Sequence, residues 1–295
     1  RLQPCVRYAF DSTLGFPGEG PAPHQRLYLE TRCVLHNANG LASDDKARTA
    51  CLRSLRAAFP VVALVETHCK PAQEALWARE WGSGQTFWSS LDAPVAQRGV
   101  ALLFADTVDV SDATAHRDTN GRLLVVAATL YRNHKMLFIV SYAPSDSDTD
   151  NRDFFAGIPA FVKARVPDWD QRHVMWLGDH NNVPNPTIDQ LPSPTEGGAA
   201  PPHPMGAAAF TAAAEVLGVR DAFRHYRSTT REFTRVPRGP VAARTTASRR
   251  LDRISATPSL LRCHGAPRVA SVWHVSALDP LVAPRFRDTH GAYAT

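Results

Sequence analysis

The stretch His173-Val174-Met175-Trp176-Leu177-Gly178-Asp179-His180-Asn181-Asn182 decides how this chain is read. A short, mainly apolar run marks a buried strand. It stops on a glycine followed by four polar residues. The same signature recurs earlier in the chain. Val61-Val62-Ala63-Leu64-Val65 ends on Glu66, a strand at 31–37 runs into Asn37-Ala38-Asn39-Gly40, and one at 135–143 closes on Ser141-Tyr142-Ala143-Pro144. A single polar strand end marks no more than an exit to solvent. Four of them on one scaffold predict a site where several loops meet at one rim.

The rest of the pattern fits a layered α/β domain. Further strands are expected at 99–104, 122–130, 251–257, 269–274 and 281–286, with Tyr131-Arg132-Asn133-His134 as a hairpin connection. A helix opens at Ser43 as N-cap, with Asp44 and Asp45 in its first turn. Ala47, Cys51, Leu55 and Phe59 share one face, Arg53 and Arg56 complement the C-terminal dipole, and Pro60 stops it. Helices at 152–165 and 205–217 separate later strands. Many strands with few helices predict two sheets packed face to face with helices outside. Residues 1–31, rich in Pro and Gly, read as an extended arm, leaving 32–295 as the domain.

Composition narrows the function classes. The 295 residues are 44% hydrophobic and 21% charged, ordinary for a soluble globular domain. No apolar run approaches the ~20 residues that span a bilayer, so no membrane partner is expected. The chain starts at Arg1 without a secretory pattern, and reads as a processed product or a domain of a longer polypeptide. Five scattered cysteines (Cys5, Cys33, Cys51, Cys69, Cys263) form no CxxC pair, which points to a reduced intracellular compartment. The formal charge of +5 is concentrated: ten arginines face three acids between Arg220 and Arg253. Such a segment is either a solvated basic loop or a surface for a polyanion.

The rim residues offer a consistent chemistry. Glu66 is a hard oxygen ligand suited to Mg²⁺, and Asn37 adds a neutral oxygen. Asp179 is placed to deprotonate a water, Asn181 to donate to a phosphate oxygen, and Tyr142 to offer a hydroxyl near developing charge. His180, between Asp179 and Asn181 on an extended edge, is expected to face the other way.

Six short motifs then occur in a telling order. They are Asn37-Ala38-Asn39-Gly40-Leu41, Val65-Glu66-Thr67-His68, Arg98-Gly99-Val100-Ala101, Tyr142-Ala143-Pro144, Gly178-Asp179-His180-Asn181 and Arg250-Leu251-Asp252-Arg253-Ile254. In this order the chain resembles the endonuclease/exonuclease/phosphatase family over nearly the whole core. Within it, the chain looks most like the endonuclease domains of non-LTR retrotransposons, through Ile188-Asp189-Gln190-Leu191-Pro192, Val219-Arg220-Asp221-Ala222-Phe223-Arg224 and Phe233-Thr234. The resemblance implies a DNase I-like four-layer sandwich: two packed mixed β-sheets flanked by helices. It implies hydrolysis of a DNA phosphodiester with Mg²⁺, or Mn²⁺ in its place. Glu66 and Asn37 would be metal ligands, Asp179 would activate the nucleophile, and Asn181 and Tyr142 would contact phosphate. Asp252 would orient a final histidine. Arg224, Arg227, Arg231, Arg249 and Arg250 are the expected contacts to the DNA backbone. A retroelement domain would work in the nucleus, within a polyprotein or larger assembly.

The family's closing Ser-Asp-His motif breaks down. Ser276-Ala277-Leu278-Asp279-Pro280 stands at its place, with Ala277 and Leu278 where Asp and His are expected. Asp288-Thr289-His290 is set aside as a substitute, because it lies 36 residues beyond Asp252 and follows the last apolar strand. The expectation is an impaired nuclease. The alternative is a catalytically silent domain of the same fold that binds nucleic acid or serves as a structural subunit. A phosphomonoesterase is disfavoured by the concentrated arginine.

Overall fold

The computed structural model describes residues 7–8, 27–28, 32–41, 44–94, 97–191, 201–235, 247–261, 270–271 and 291–294. Two six-stranded mixed sheets lie at its centre. The first contains β3 (Cys33–Asn37), β4 (Val61–Val65), β5 (Thr86–Ser89), β6 (Val100–Phe104), β15 (Ala270–Ser271) and β16 (Gly291–Ala294), in the order β15-β16-β3-β4-β6-β5. The second contains β7 (Val110–Arg117), β8 (Leu123–Leu130), β9 (His134–Tyr142), β10 (His173–Asp179), β12 (Arg220–Asp221) and β14 (Asp252–Ala256), in the order β12-β14-β10-β9-β8-β7. Two short pairs stand outside the sheets: β1 (Arg7–Tyr8) with β2 (Leu27–Tyr28), and β11 (Gln190–Leu191) with β13 (Ser248–Arg249). Most of the arm expected at 1–31 lies outside the described residues.

The continuous apolar runs are explained by burial on both faces. In β3, β4 and β6, Leu35, Ala63, Val65, Leu102 and Phe104 point inward and meet Val126, Phe138, Val140, Leu177 and Ile254 of the second sheet. The intervening Val34, Val62, Leu64, Ala101 and Leu103 point outward, under Leu52 and Leu55 of α1 (Asp45–Ala58) and Trp77 and Trp81 of α2 (Glu74–Trp81). On the far side, Val125, Ile139 and Trp176 are covered by Phe155, Ile158 and Val162 of α3 (Asp148–Arg165) and by Phe210 and Ala213 of the later helix Pro204–Val216. This gives helix, sheet, sheet, helix: the four layers expected. No described helix is long and apolar enough to cross a membrane.

Two parallel pairs fix where the rim lies. β3 pairs parallel with β4 through α1, and β9 pairs parallel with β10 through α3. A parallel pair needs a crossover, and the helices supply it on the outer faces. The C-terminal ends of the two strands in each pair therefore fall together.

Several boundaries differ from the sequence reading. The cap of α1 is Asp44, whose side chain accepts from the Ala47 N–H, and not Ser43. β5, β7 and α2 went unmarked: β7 is a largely exposed edge strand without clean alternation, and α2 spans about two turns. The strand expected at 281–286 lies outside the described residues. Among the described residues the last strand is Gly291–Ala294, antiparallel to β3 with Gly291 opposite His36.

Candidate active site

Strand register builds the site. On the second sheet Asp179 is paired with Tyr142 on one side and with Asp252 on the other. Residues opposite one another on neighbouring strands share a face, so three polar side chains form one row across β9, β10 and β14. On the first sheet Asn37 ends β3 beside Val65 of β4, one residue before Glu66. The two sets meet across the sandwich. The Asn37 Nδ2 donates to Glu66 Oε1 at 2.7 Å and to Asp179 Oδ2 at 3.0 Å. Asp179 Oδ1 accepts from the Asn181 backbone N–H at 3.0 Å. Asn181 in turn spends one amide N–H on the Ala143 carbonyl at 2.9 Å.

The loops that carry these residues are held in strained backbone. Asn39, Glu66, His68, Arg98 and Asn181 all have φ between 45° and 59°. For side chains with a Cβ that region costs roughly 1–2 kcal/mol each. A ladder of backbone bonds sustains it: Gly40 N to Glu66 O at 2.7 Å, Thr67 N to Gly99 O at 3.0 Å, His68 N to Arg98 O at 2.7 Å and Gly99 N to Gly121 O at 2.9 Å. Gly40 is required at its place, with φ 88° and a side chain there meeting His68 Nδ1 at 2.6 Å. Strain at a functional rim is a common mark of preorganisation.

Electrostatics follow from burial. Burial pushes the Tyr142 hydroxyl pKa up, and the charges of Glu66 and Asp179 push it further, so the phenol stays a donor and hydrogen-bonds to Glu66. Asp252 is wholly buried and its carboxyl is pushed up to about 7, first by burial and then by Glu66, against the Thr234 hydroxyl and Arg253. Among the described residues neither of its oxygens makes a hydrogen bond of good geometry. A buried carboxylate is costly, and the Thr234 hydroxyl is the neighbour that offsets part of that cost.

The donor set suits a hard divalent cation. No three His, Cys, Asp or Glu side chains among the described residues converge closely enough to hold a metal alone. Mg²⁺ requires only one or two carboxylates, completed by waters and substrate phosphate. Glu66 and Asp179, joined through the one Asn37 amide, bring two carboxylates together at this rim. Asn37 is placed differently from expectation. Its Oδ1 accepts from the Asn39 N–H at 3.0 Å, and its nitrogen faces both carboxylates. As placed, its nitrogen bridges and orients them, while its oxygen is held by the Asn39 N–H.

The basic segment needs a larger correction. Arg250, expected on DNA, is buried and binds Asp189 through Nε at 2.8 Å and Asp221 through Nη2 at 2.6 Å. Arg224, also expected on DNA, is largely buried and gives its guanidinium to Asp189 and to the carbonyls of Ile188, Arg227 and Thr230. Arg253, wholly buried, joins the same cluster and donates to the Asn182 carbonyl at 3.0 Å. Burial raises the Asp189 pKa, yet these arginines outweigh it and hold it below the usual carboxylate range. Sequence charge counts cannot see this pairing, because Asp189 lies outside the counted window. Arg227 and Arg231 are exposed; Arg231 donates to the Thr187 carbonyl at 2.9 Å, and Arg249 is half-buried.

His180 faces away from the site, as alternation requires. Its ring packs against Phe210, Trp176 and Phe155 with centroids 4.3, 5.5 and 5.4 Å away, and neither nitrogen has a hydrogen-bond partner among the described residues. Burial, then Arg253 and Arg250, drive its pKa well down. A depressed folded pKa means stability is intact above the unfolded value near 6.5 and is lost as pH falls below it. Urea unfolding is expected to show a loss of about 1.4 kcal/mol per pH unit below that point. His180→Phe should flatten this acid limb; an unchanged limb would place the titration elsewhere.

Ala277 and Leu278, the expected substitutions, lie outside the described residues, as do residues 288–290. One argument against Asp288-Thr289-His290 is nevertheless overturned. A strand does follow it, since β16 begins at Gly291 and pairs with β3 next to Asn37.

No family model matches the chain. No curated protein sequence matches it either. Solved structures do. An AP endonuclease from Archaeoglobus fulgidus aligns with a TM-score of 0.64 and 19% identity, over 90% of this chain and 98% of that one. A 3′ phosphatase from Neisseria, bound to a product DNA hairpin, gives a TM-score of 0.67 at 18% identity over the same shares of the two chains. An AP endonuclease from Leishmania major gives 0.64 at 13% identity, over 90% and 86%. At these identities the likeness establishes the fold: two packed mixed sheets flanked by helices, of the DNase I-like kind.

Proposed function

We propose that this chain is an Mg²⁺-dependent DNA phosphodiesterase, an endonuclease domain of the type found in non-LTR retroelements, working inside the cell and in the nucleus. The observation that carries the reading is the row Tyr142–Asp179–Asp252 facing Glu66 across the Asn37 bridge. The nuclease and phosphatase neighbours of the same fold support it. A bound Mg²⁺ would be held by Glu66 and would supply charge neutralisation at the scissile phosphate.

Asp179 is the group that takes a proton from water. Its two oxygens are fixed by the Asn181 N–H and the Asn37 amide, so the carboxylate is oriented before substrate arrives. Asn181 keeps its second amide N–H for a phosphate oxygen, one being held by Ala143. Tyr142, kept protonated by burial and by its carboxylate neighbours, holds its one O–H on Glu66 and would turn it from there toward the developing negative charge. Asp252 is poised to accept from, and so orient, an imidazole.

The source of that imidazole divides the active reading from the silent one. Supercoiled plasmid with Mg²⁺ is treated with the wild-type chain, with the double substitution Ala277→Asp and Leu278→His, and with His290→Ala. Nicking by the wild type that His290→Ala lowers by ~10²-fold or more assigns the role to His290. Nicking gained only in the double substitution assigns a lost motif to 277–278 and an impaired parent. Nicking by none, in a folded protein, leaves the silent nucleic-acid-binding domain as the reading.

A further inference from the structure

The row that builds the site extends one residue further than the chemistry uses. Tyr142 N donates to the Arg122 carbonyl at 2.8 Å, which places Arg122, just before β8, beside Tyr142. Its guanidinium lies 5.0 Å from the centre of the Tyr142 ring, and Nη1 donates to the Tyr142 carbonyl at 3.1 Å. Arg122 is 9% exposed, yet among the described residues no carboxylate forms an ion pair with it. Asp118 turns its Oδ1 to the backbone N–H groups of Arg122 and Leu123, and acts on the guanidinium only from a distance, as does Asp146. A second arginine stands next to it. Gly99 N donates to the Gly121 carbonyl at 2.9 Å, so Arg98 and Arg122 flank a direct backbone bond between the two sheets. Arg98 is half-exposed, its backbone is held at φ 59°, and among the described residues it too lacks a carboxylate ion pair. The mutual repulsion of the pair is felt: burial first, then Arg98, lower the Arg122 pKa.

Two arginines set beside each other by one backbone bond, one nearly buried and neither in a carboxylate ion pair among the described residues, are costly unless an anion completes them. The Arg48 and Arg250 guanidiniums each have carboxylate partners, which sets this pair apart. Resting on the hydrolytic reading above, we propose that Arg98 and Arg122 form an anion subsite that takes the phosphate adjoining the scissile one, on the Tyr142 side. Arginine is suited to this because its planar fork matches phosphate oxygens. The subsite makes the site selective for an internal phosphodiester of a strand that continues past Tyr142. A terminal phosphomonoester with nothing beyond it leaves the subsite empty.

The test has a binding arm and a cleavage arm. Binding of a labelled DNA duplex is followed by anisotropy at several salt concentrations with Ca²⁺ replacing Mg²⁺. The double substitution Arg98→Gln and Arg122→Gln is expected to reduce the slope of log K against log salt by about one, and the lysine pair to restore it. In the cleavage arm the mapped scissile position is flanked on either side by a neutral methylphosphonate. Neutralising one of the two sides should slow the wild type about tenfold or more, and the double glutamine variant no further. An unchanged slope in a folded variant, with equal sensitivity to both flanks, overturns the subsite while nicking by the wild type leaves the hydrolytic reading intact. A changed slope without any cleavage keeps the subsite and sinks hydrolysis. Absence of DNA binding by the wild type ends both.

Discussion

Asp179→Asn is expected to lower Mg²⁺-dependent plasmid nicking by ~10²–10⁴-fold while leaving the protein folded. The new amide retains an oxygen for the Asn181 N–H, so the loop after β10 keeps its anchor. It loses the basic oxygen that takes the proton, and it sets an N–H₂ against the Asn37 amide. The substitution also removes one of the carboxylates crowded at this rim. Thermal unfolding followed by circular dichroism should therefore change little compared with the loss of rate. Nicking within tenfold of the wild type would take the proton-accepting role away from Asp179.

The second large effect is on stability. Asp189 is 2% exposed and carries the guanidiniums of Arg224 and Arg250, with Arg253 at 4.0 Å. Asp189→Asn leaves Arg250 and Arg253 on Asp221 and takes from Arg224 the carboxylate its guanidinium binds. Breaking a buried ion network from one side costs about 3–5 kcal/mol, because charges stay buried without their partner. Urea denaturation at neutral pH measures it, and a loss under about 1 kcal/mol would show that water reaches the cluster. The site is expected to suffer as well. Arg250 N donates to the Asp189 carbonyl, and Gln190 pairs with Arg249, so this cluster anchors the approach to Asp252.

The contrast between these two aspartates shows where sequence reading succeeds. Asp179 was legible because it ends an apolar run, and a strand with both faces buried has only its end at which to present a polar group. Glu66 and Asn37 were legible by the same rule, and so was the outward turn of His180, which follows from a two-residue repeat. Asp189 carried no such sign. It sits in the one-turn helix Pro186–Asp189, and its importance comes from arginines 35 and 61 residues away. Arg224 and Arg250 were misjudged for the same reason: a charge count along the chain treats every arginine as solvated. Arg122 escaped notice because it stands where its strand begins, while the rim was sought where strands end.

By itself, then, the sequence determined the layered α/β architecture and the rim residues Asn37, Glu66, Tyr142 and Asp179. Both follow from local periodicity, and periodicity is set by each residue's near neighbours. The tertiary structure decided the register that aligns Tyr142, Asp179 and Asp252, and the turning of the Asn37 nitrogen toward two carboxylates. It also decided which arginines are neutralised within the fold, and that Arg122 lies against Tyr142 with no carboxylate ion pair among the described residues. Those outcomes depend on pairings between distant segments, where burial and Coulomb energy act across space and leave no trace in the order of residues.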